Sequence, residues 1–394
     1  MENNIYYAQA HEVKTIPSAP VMSNAMYADT TIHYPHNPSN PSNPSHPHAS
    51  APSAPFEPSE PSAPIDLTGH NAFQNQQLLA VKNPIGLDQL LSTKKVPKGM
   101  REFFINDINK APKRFFVCDD SGSMMATDGN IMNEQTNRYI KCSRWQEQLE
   151  TIKYQIDVSN AGNIDTTFMF LNRAPIIAGQ NAFVDYNQCP QLNSAPNGGT
   201  PLCKILRQII NEIKPEAEMY RRQNKMFMIV ISTDGESSDG NVASVLMELQ
   251  HYPVCVTLRL CTDDDKIVNY WNNVDNDLEI SLDVLDDYVS EAKEVYECNP
   301  WLTYGIQLHR MREFGLVSKE IDLIDEKKIR GTEIWSYVNI IYGHADHNMR
   351  EDIKKTITTL NKNAPCRIFN PMTNSHESWI IPKYMDGKCG CVIM

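Results

Sequence analysis

The chain has no surplus of basic residues. Its 36 Lys and Arg stand against 48 Asp and Glu, a formal charge of -12 over 394 residues. With no basic stripe and no base-stacking motif, that balance gives nucleic-acid binding no support. No long apolar run is present either. The longest, Met226-Phe-Met-Ile-Val-Ile231, is far too short to span a bilayer, so membrane contact requires a surface anchor. No Ser-His-Asp set, P-loop, HExxH or kinase signature occurs, so the expectation is a protein that is not an enzyme. The opening residues, Met1-Glu-Asn-Asn-Ile-Tyr-Tyr7, are polar and lack the apolar segment of a secretory signal. The ten cysteines are scattered, and without such a signal they read as reduced thiols of a cytosolic protein.

Proline is the residue the chain has in excess, and unevenly. Twelve of 25 prolines precede residue 70. They recur at every third position, from Pro35 to Pro47 and again from Pro52 to Pro64. Polyproline II has three residues per turn, so this spacing stacks prolines along one face of an extended rod. Residues 1–95 are therefore assigned to a disordered arm rich in Pro, Ser and Asn, whose plain reading is a spacer. Pro-Ser-Ala-Pro occurs in it three times: Pro17-Ser18-Ala19-Pro20, Pro52-Ser53-Ala54-Pro55 and Pro61-Ser62-Ala63-Pro64. A tract of this composition yields the tetrapeptide easily, but the first copy stands outside the main tract.

From residue 96 the pattern changes. Lys113 to Cys118, Thr166 to Leu171, Met226 to Ser232 and Val254 to Leu260 are apolar runs of strand length, with a further strand over Glu279 to Leu285. Helices are expected over Met100–Asn109, after the Ser143 cap to Ile156, over Pro201–Arg222, Val242–Gln250 and Asp287–Glu297. Alternating helices and near-continuous apolar strands specify an α/β domain: a doubly wound, mostly parallel sheet with helices on both faces.

Three motifs fall where such a sheet gathers its ligands, outside the carboxyl ends of its strands. Asp119-Asp120-Ser121-Gly122-Ser123 follows the first strand. Asn197-Gly-Gly-Thr200-Pro201 opens a helix. Thr233-Asp234-Gly235 ends an all-apolar strand. Asp119, Ser121, Ser123, Thr200 and Asp234 supply only hard oxygen donors, the choice for magnesium or manganese rather than for zinc. These motifs, in this order, resemble the von Willebrand factor A (vWA) family and its metal-ion-dependent adhesion site (MIDAS). The resemblance covers about half the chain and assigns residues 96–298 to the domain. It implies direct ligation by Ser121 and Ser123, a direct or water-mediated role for Thr200, and a water-mediated role for Asp234. A partner's Asp or Glu completes the shell in that family.

The end of the chain reads as a lipidation signal. Cys391-Val-Ile-Met394 fits C-a-a-X with a terminal Met that favours farnesyl. One prenyl chain anchors marginally, and Cys389 is the candidate second acylation site. Residues 385–394 are thus a lipidated tail, which places the protein on the cytoplasmic face of a membrane in a eukaryotic cell. Residues 299–384 form a mixed region with no recognised family. Trp301, Trp335 and Trp379 indicate that it packs against the sheet domain. His344-Ala-Asp346-His347 lacks a third helix-spaced ligand and reads as a polar loop; Thr262-Asp-Asp-Asp-Lys266 reads as a solvated turn, and Asp286-Asp287 carries no mark of acid–base work.

The expectation is a membrane-tethered adaptor. Its vWA head binds an acidic residue of a protein partner through the cation. The Pro-Ser-Ala-Pro motifs resemble late-domain motifs that dock on the UEV domain of the ESCRT-I complex. Two rivals are an accessory vWA subunit of an ATPase or chelatase assembly, and a structural component of a membrane-bound particle, host-encoded or viral.

Overall fold

The structure is a computed structural model that describes residues 78–133, 136–262, 264–276, 282–343, 352–363 and 366–385. The three Pro-Ser-Ala-Pro motifs, residues 344–347, Cys389 and Cys391 lie outside the described residues.

Two helices precede the sheet: α1 (Pro84–Thr93) and α2 (Lys98–Ile108). α1 falls inside the stretch assigned to the arm, and the arm's boundary moves back accordingly. Pro84 sits in the first turn, where its missing N–H costs nothing, and Leu87 and Leu91 are buried one turn apart. The proline rhythm had ended at Pro64, twenty residues before this helix starts.

The chain then enters β1 (Lys113–Cys118) and a hairpin, β2 (Gly129–Asn133) with β3 (Arg138–Cys142). Next come α3 (Arg144–Gly162), β4 (Asp165–Phe170), the short β5 (Ile176–Ala178) and α4 (Pro190–Asn193). α5 (Leu202–Ile213) and α6 (Ala217–Arg222) replace the single helix expected there. Pro215 supplies no amide proton to continue the hydrogen-bond ladder, so α5 stops at its Lys214 cap. β6 (Phe227–Thr233), α7 (Val242–Leu249), β7 (Val254–Leu260), α8 (Asp265–Asn276), β8 (Leu282–Leu285) and α9 (Tyr288–Cys298) complete the alternation. After it come α10 (Ile306–Glu313), α11 (Lys319–Asp322), α12 (Ile334–Tyr342), α13 (Ile353–Asn363) and the hairpin β9 (Arg367–Asn370) with β10 (Ser375–Ser378).

Six strands form one sheet in the order β5-β4-β1-β6-β7-β8. Every pair is parallel except the β4–β5 edge. The expected α/β class is therefore the observed one. Successive side chains of a strand point to opposite faces, and both faces are covered. Phe115, Val117, Ile229 and Ile231 pack with α5, α7 and Trp271 of α8. Phe116, Cys118, Met228 and Val230 face α1, α2, α3 and the C-terminal region. Trp301, Trp335 and Trp379 are all buried in that second layer. Arg114 of β1 is fully buried there, with Nη1 donating to Phe314 and Gly315 carbonyls at 2.9 Å. α2 comes closest to the end of α12 at a pair of glycines: a Cβ on Gly99 would lie 2.0 Å from the Gly343 nitrogen.

Candidate metal centre

The parallel order carries the ends of β1 and β6 to the same edge of the sheet. Asp119 and Thr233 are the residues at those ends, and the Asp119 N–H donates to the Ser232 carbonyl at 2.9 Å. Asp119 is fully buried. Its Oδ1 accepts from the Ser121 N–H at 2.9 Å, which sets the turn, and its Oδ2 accepts from the Thr233 hydroxyl at 2.6 Å. Burial pushes this carboxyl above its ordinary range, opposed by the Ser121 and Thr233 hydrogen bonds.

The two serine hydroxyls lie 2.9 Å apart. Ser123 donates onward to Asp234 Oδ1 at 2.8 Å. Ser121 is buried and Ser123 is exposed, so the pair runs from the interior to the surface. Asp234 is held from its other side by Arg144, whose Nη1 lies 2.9 Å from Oδ2. Arg144 is the first residue of α3, aimed here by the helix start. Ser143 caps the helix by accepting from the Gln146 N–H, and the Gln146 side chain returns to the Ser143 N–H. Arg144 also grips Asp128 with two nitrogens, at 2.7 and 2.5 Å, which holds that carboxyl below its usual range.

The loop before α5 is fastened to the loop after β1 by two backbone hydrogen bonds, Gly122 N to Gly198 O at 3.1 Å and Asn197 N to Asp120 O at 2.8 Å. Gly198 has φ +97°, and a side chain there would run into Asn172. Thr200 is buried within this loop. Its N–H donates to the Ser238 hydroxyl at 3.0 Å and its carbonyl accepts from the Ser238 N–H at 2.8 Å. Asp120, the neighbour of the expected ligand, turns the other way. It accepts from the Asn172 backbone at 2.8 Å and lies 3.0 Å from Arg173 Nε. Arg173 in turn stacks on the Trp145 ring.

The structure thus brings Asp119, Ser121, Ser123 and Asp234 into one hydrogen-bonded cluster and sets the Thr200 loop against it. The donor set fits a hard cation. All its groups are oxygens, and hydroxyl lone pairs remain available for a cation while the Ser123 proton goes to Asp234. Both Asp234 oxygens are already engaged, by Ser123 and Arg144, which suits a carboxylate acting behind the ligands. Sequence reasoning did not single out Arg144, Asp120 or Ser238. Arg144 directly follows the Ser143 cap, but only the fold shows that this cap abuts the end of β6.

No family model matches the chain, and no curated protein does. Among solved structures, the chain is similar to proximal thread matrix protein 1 from the mussel byssus: 15% identity over 38% of this chain and 37% of that one, with a TM-score of 0.27. The matched stretch spans little over a third of that protein's length, and a likeness of this size carries no functional argument. Among the described residues, no helix is long and apolar enough to cross a membrane.

Proposed function

We propose that the protein is a membrane-tethered adaptor that grips an acidic side chain of a protein partner through magnesium or manganese. The cation is held by Ser121, Ser123 and Thr200, with Asp119 and Asp234 behind them, in a vWA-type domain. One observation carries this reading: the chain of contacts from Ser121 to Ser123 to Asp234, 2.9 and 2.8 Å long, open to solvent at Ser123. Neutral hydroxyls are weak charge donors. A divalent cation held by them keeps most of its charge and attracts one more anionic oxygen from outside. A set of carboxylate ligands neutralises the ion and removes that attraction.

Tethering rests on Cys391, with Cys389 as the second acylation site, at the cytosolic face of a eukaryotic membrane. The Pro-Ser-Ala-Pro motifs of the arm supply repeated low-entropy docking peptides for a UEV-type domain of ESCRT-I. The test compares partner capture from a cytosolic extract in magnesium, in chelator, and with Asp119→Ala. Capture that needs both magnesium and Asp119 supports the reading; equal capture in all three conditions sinks it. Separately, Cys391→Ser is expected to move the protein from the membrane fraction to the soluble one in eukaryotic cells. Unchanged fractionation refutes the anchor.

A further inference from the structure

Far along the chain from the first motif, α9 and the segment after α11 gather carboxylates. Glu291 and Glu294 are three residues apart and share a face of α9. Asp325 joins them, and one carboxylate oxygen from each of the three lies within 4.8 Å of the others. The buried cation nearby is Arg312. Its Nη1 lies 2.5 Å from Glu291 Oε2 and 2.9 Å from Asp325 Oδ2, and its Nη2 3.3 Å from Asp283 Oδ1. A single guanidinium is thus shared among three acids before Glu294 is counted.

Arg312 does not complete the balance. The Asp325 side chain is only 9% exposed, yet its Oδ1 has no hydrogen-bond partner. Glu291 is 1% exposed, and its Oε1 accepts from the Asp286 N–H at 2.9 Å. Arg312 brings one positive charge to these carboxylates, and balancing the rest takes a proton or a metal ion. A shared proton uses two carboxylates and has no role for a third. Glu294 supplies a third oxygen from the solvent side, where water can fill further positions of a metal shell. Three protein carboxylates gathered at one point suit calcium, which takes many oxygen ligands, better than magnesium, which is usually held by one or two carboxylates and water.

We propose that Glu291, Glu294 and Asp325 form a second divalent-cation site, of calcium type, that staples α9 to the segment following α11. Its three carboxylates neutralise the ion, so the site is structural and closed to an acidic partner. It is independent of the Asp119 centre.

The test uses the full chain carrying Asp119→Ala, which separates this site from the first. Calorimetric titration with calcium chloride is expected to show one site per chain. Adding Glu294→Gln is expected to weaken it about tenfold or more, and magnesium chloride to bind much less tightly. Glu294 is exposed, so this variant leaves the buried Arg312 pairs in place. Calcium is also expected to raise the thermal midpoint of Asp119→Ala, and to lose that effect when Glu294→Gln is added. Absence of calcium uptake by Asp119→Ala overturns the proposal and leaves a shared proton between Glu291 and Asp325. Uptake unchanged by both Glu294→Gln and Asp325→Asn overturns it too, as does magnesium binding as tight as calcium.

Discussion

The end of the sheet and the junction behind it both collect oxygens, but they do so with opposite chemistry. At the sheet end, the hydroxyls reach the surface at Ser123, and each carboxylate is already answered by Thr233, Ser123 or Arg144. At the junction, carboxylates outnumber their partner, and one buried oxygen of Asp325 is unanswered. A cation held by hydroxyls stays electrophilic and can recruit a partner. A cation held by carboxylates is spent on the fold. The same class of ion is thus assigned two roles by what surrounds it.

The largest expected effect separates the two regions. Asp119→Ala removes the buried carboxylate behind the serines, and magnesium affinity is expected to fall by roughly a hundredfold or more. The junction's calcium response should persist in the same protein, as titration with both ions will read. The mirror-image substitution strikes the fold. Glu313 is fully buried and receives Arg259 Nε at 2.7 Å, Arg310 Nη1 at 2.6 Å and the Thr151 hydroxyl at 2.9 Å. Glu313→Ala leaves Arg259 buried without that partner and is expected to cost about 3–5 kcal/mol, measured by urea unfolding.

Protons offer a gentler probe of the junction. Burial, and then the hydrogen-bonded neighbour Asp283, push the Asp322 carboxyl up to about 8, while Arg312 pulls it down and Asp325 adds to the rise. The folded state therefore holds a proton that the unfolded chain releases near pH 4. Stability from this group is present at low pH and is lost as pH rises toward 8. Asp322→Asn should flatten that slope between pH 5 and 8, read as unfolding midpoints across pH. At the sheet end, Ser143→Ala removes the cap that aims Arg144. The expected cost is about 1 kcal/mol of stability, with a measurable loss of magnesium affinity. A stability loss without any change in magnesium affinity would show that the Arg144–Asp234 contact is incidental.

The two regions also differ in how far the sequence discloses them. Asp119, Ser121, Ser123 and Thr200 lie in short local motifs, and Asp234 ends an unmistakable apolar strand, so their meeting follows from the alternation of strands and helices. The sheet was legible for the same reason: β1, β6 and β7 are buried on both faces and read as unbroken apolar runs. The β2–β3 hairpin was not legible, because β3 is mostly exposed and Arg138-Tyr-Ile-Lys-Cys142 lacks an alternating pattern. Asp287, passed over as chemistry, caps α9 by accepting from the Val289 N–H at 2.8 Å. The junction was illegible because Asp325 stands 31 residues beyond Glu294 and Arg312 between them, brought together only by packing. The one local hint was the Glu291–Glu294 pair at helical spacing.

The central claim is that the hydroxyl-rimmed cluster binds a cation, and manganese measures this directly. Manganese titration followed by electron paramagnetic resonance, in full chain carrying Glu294→Gln, leaves the sheet end as the site under test. The account predicts one bound manganese per chain, displaced by magnesium and abolished by adding Asp119→Ala. Manganese that stays bound after Asp119→Ala, or that never binds at all, contradicts it.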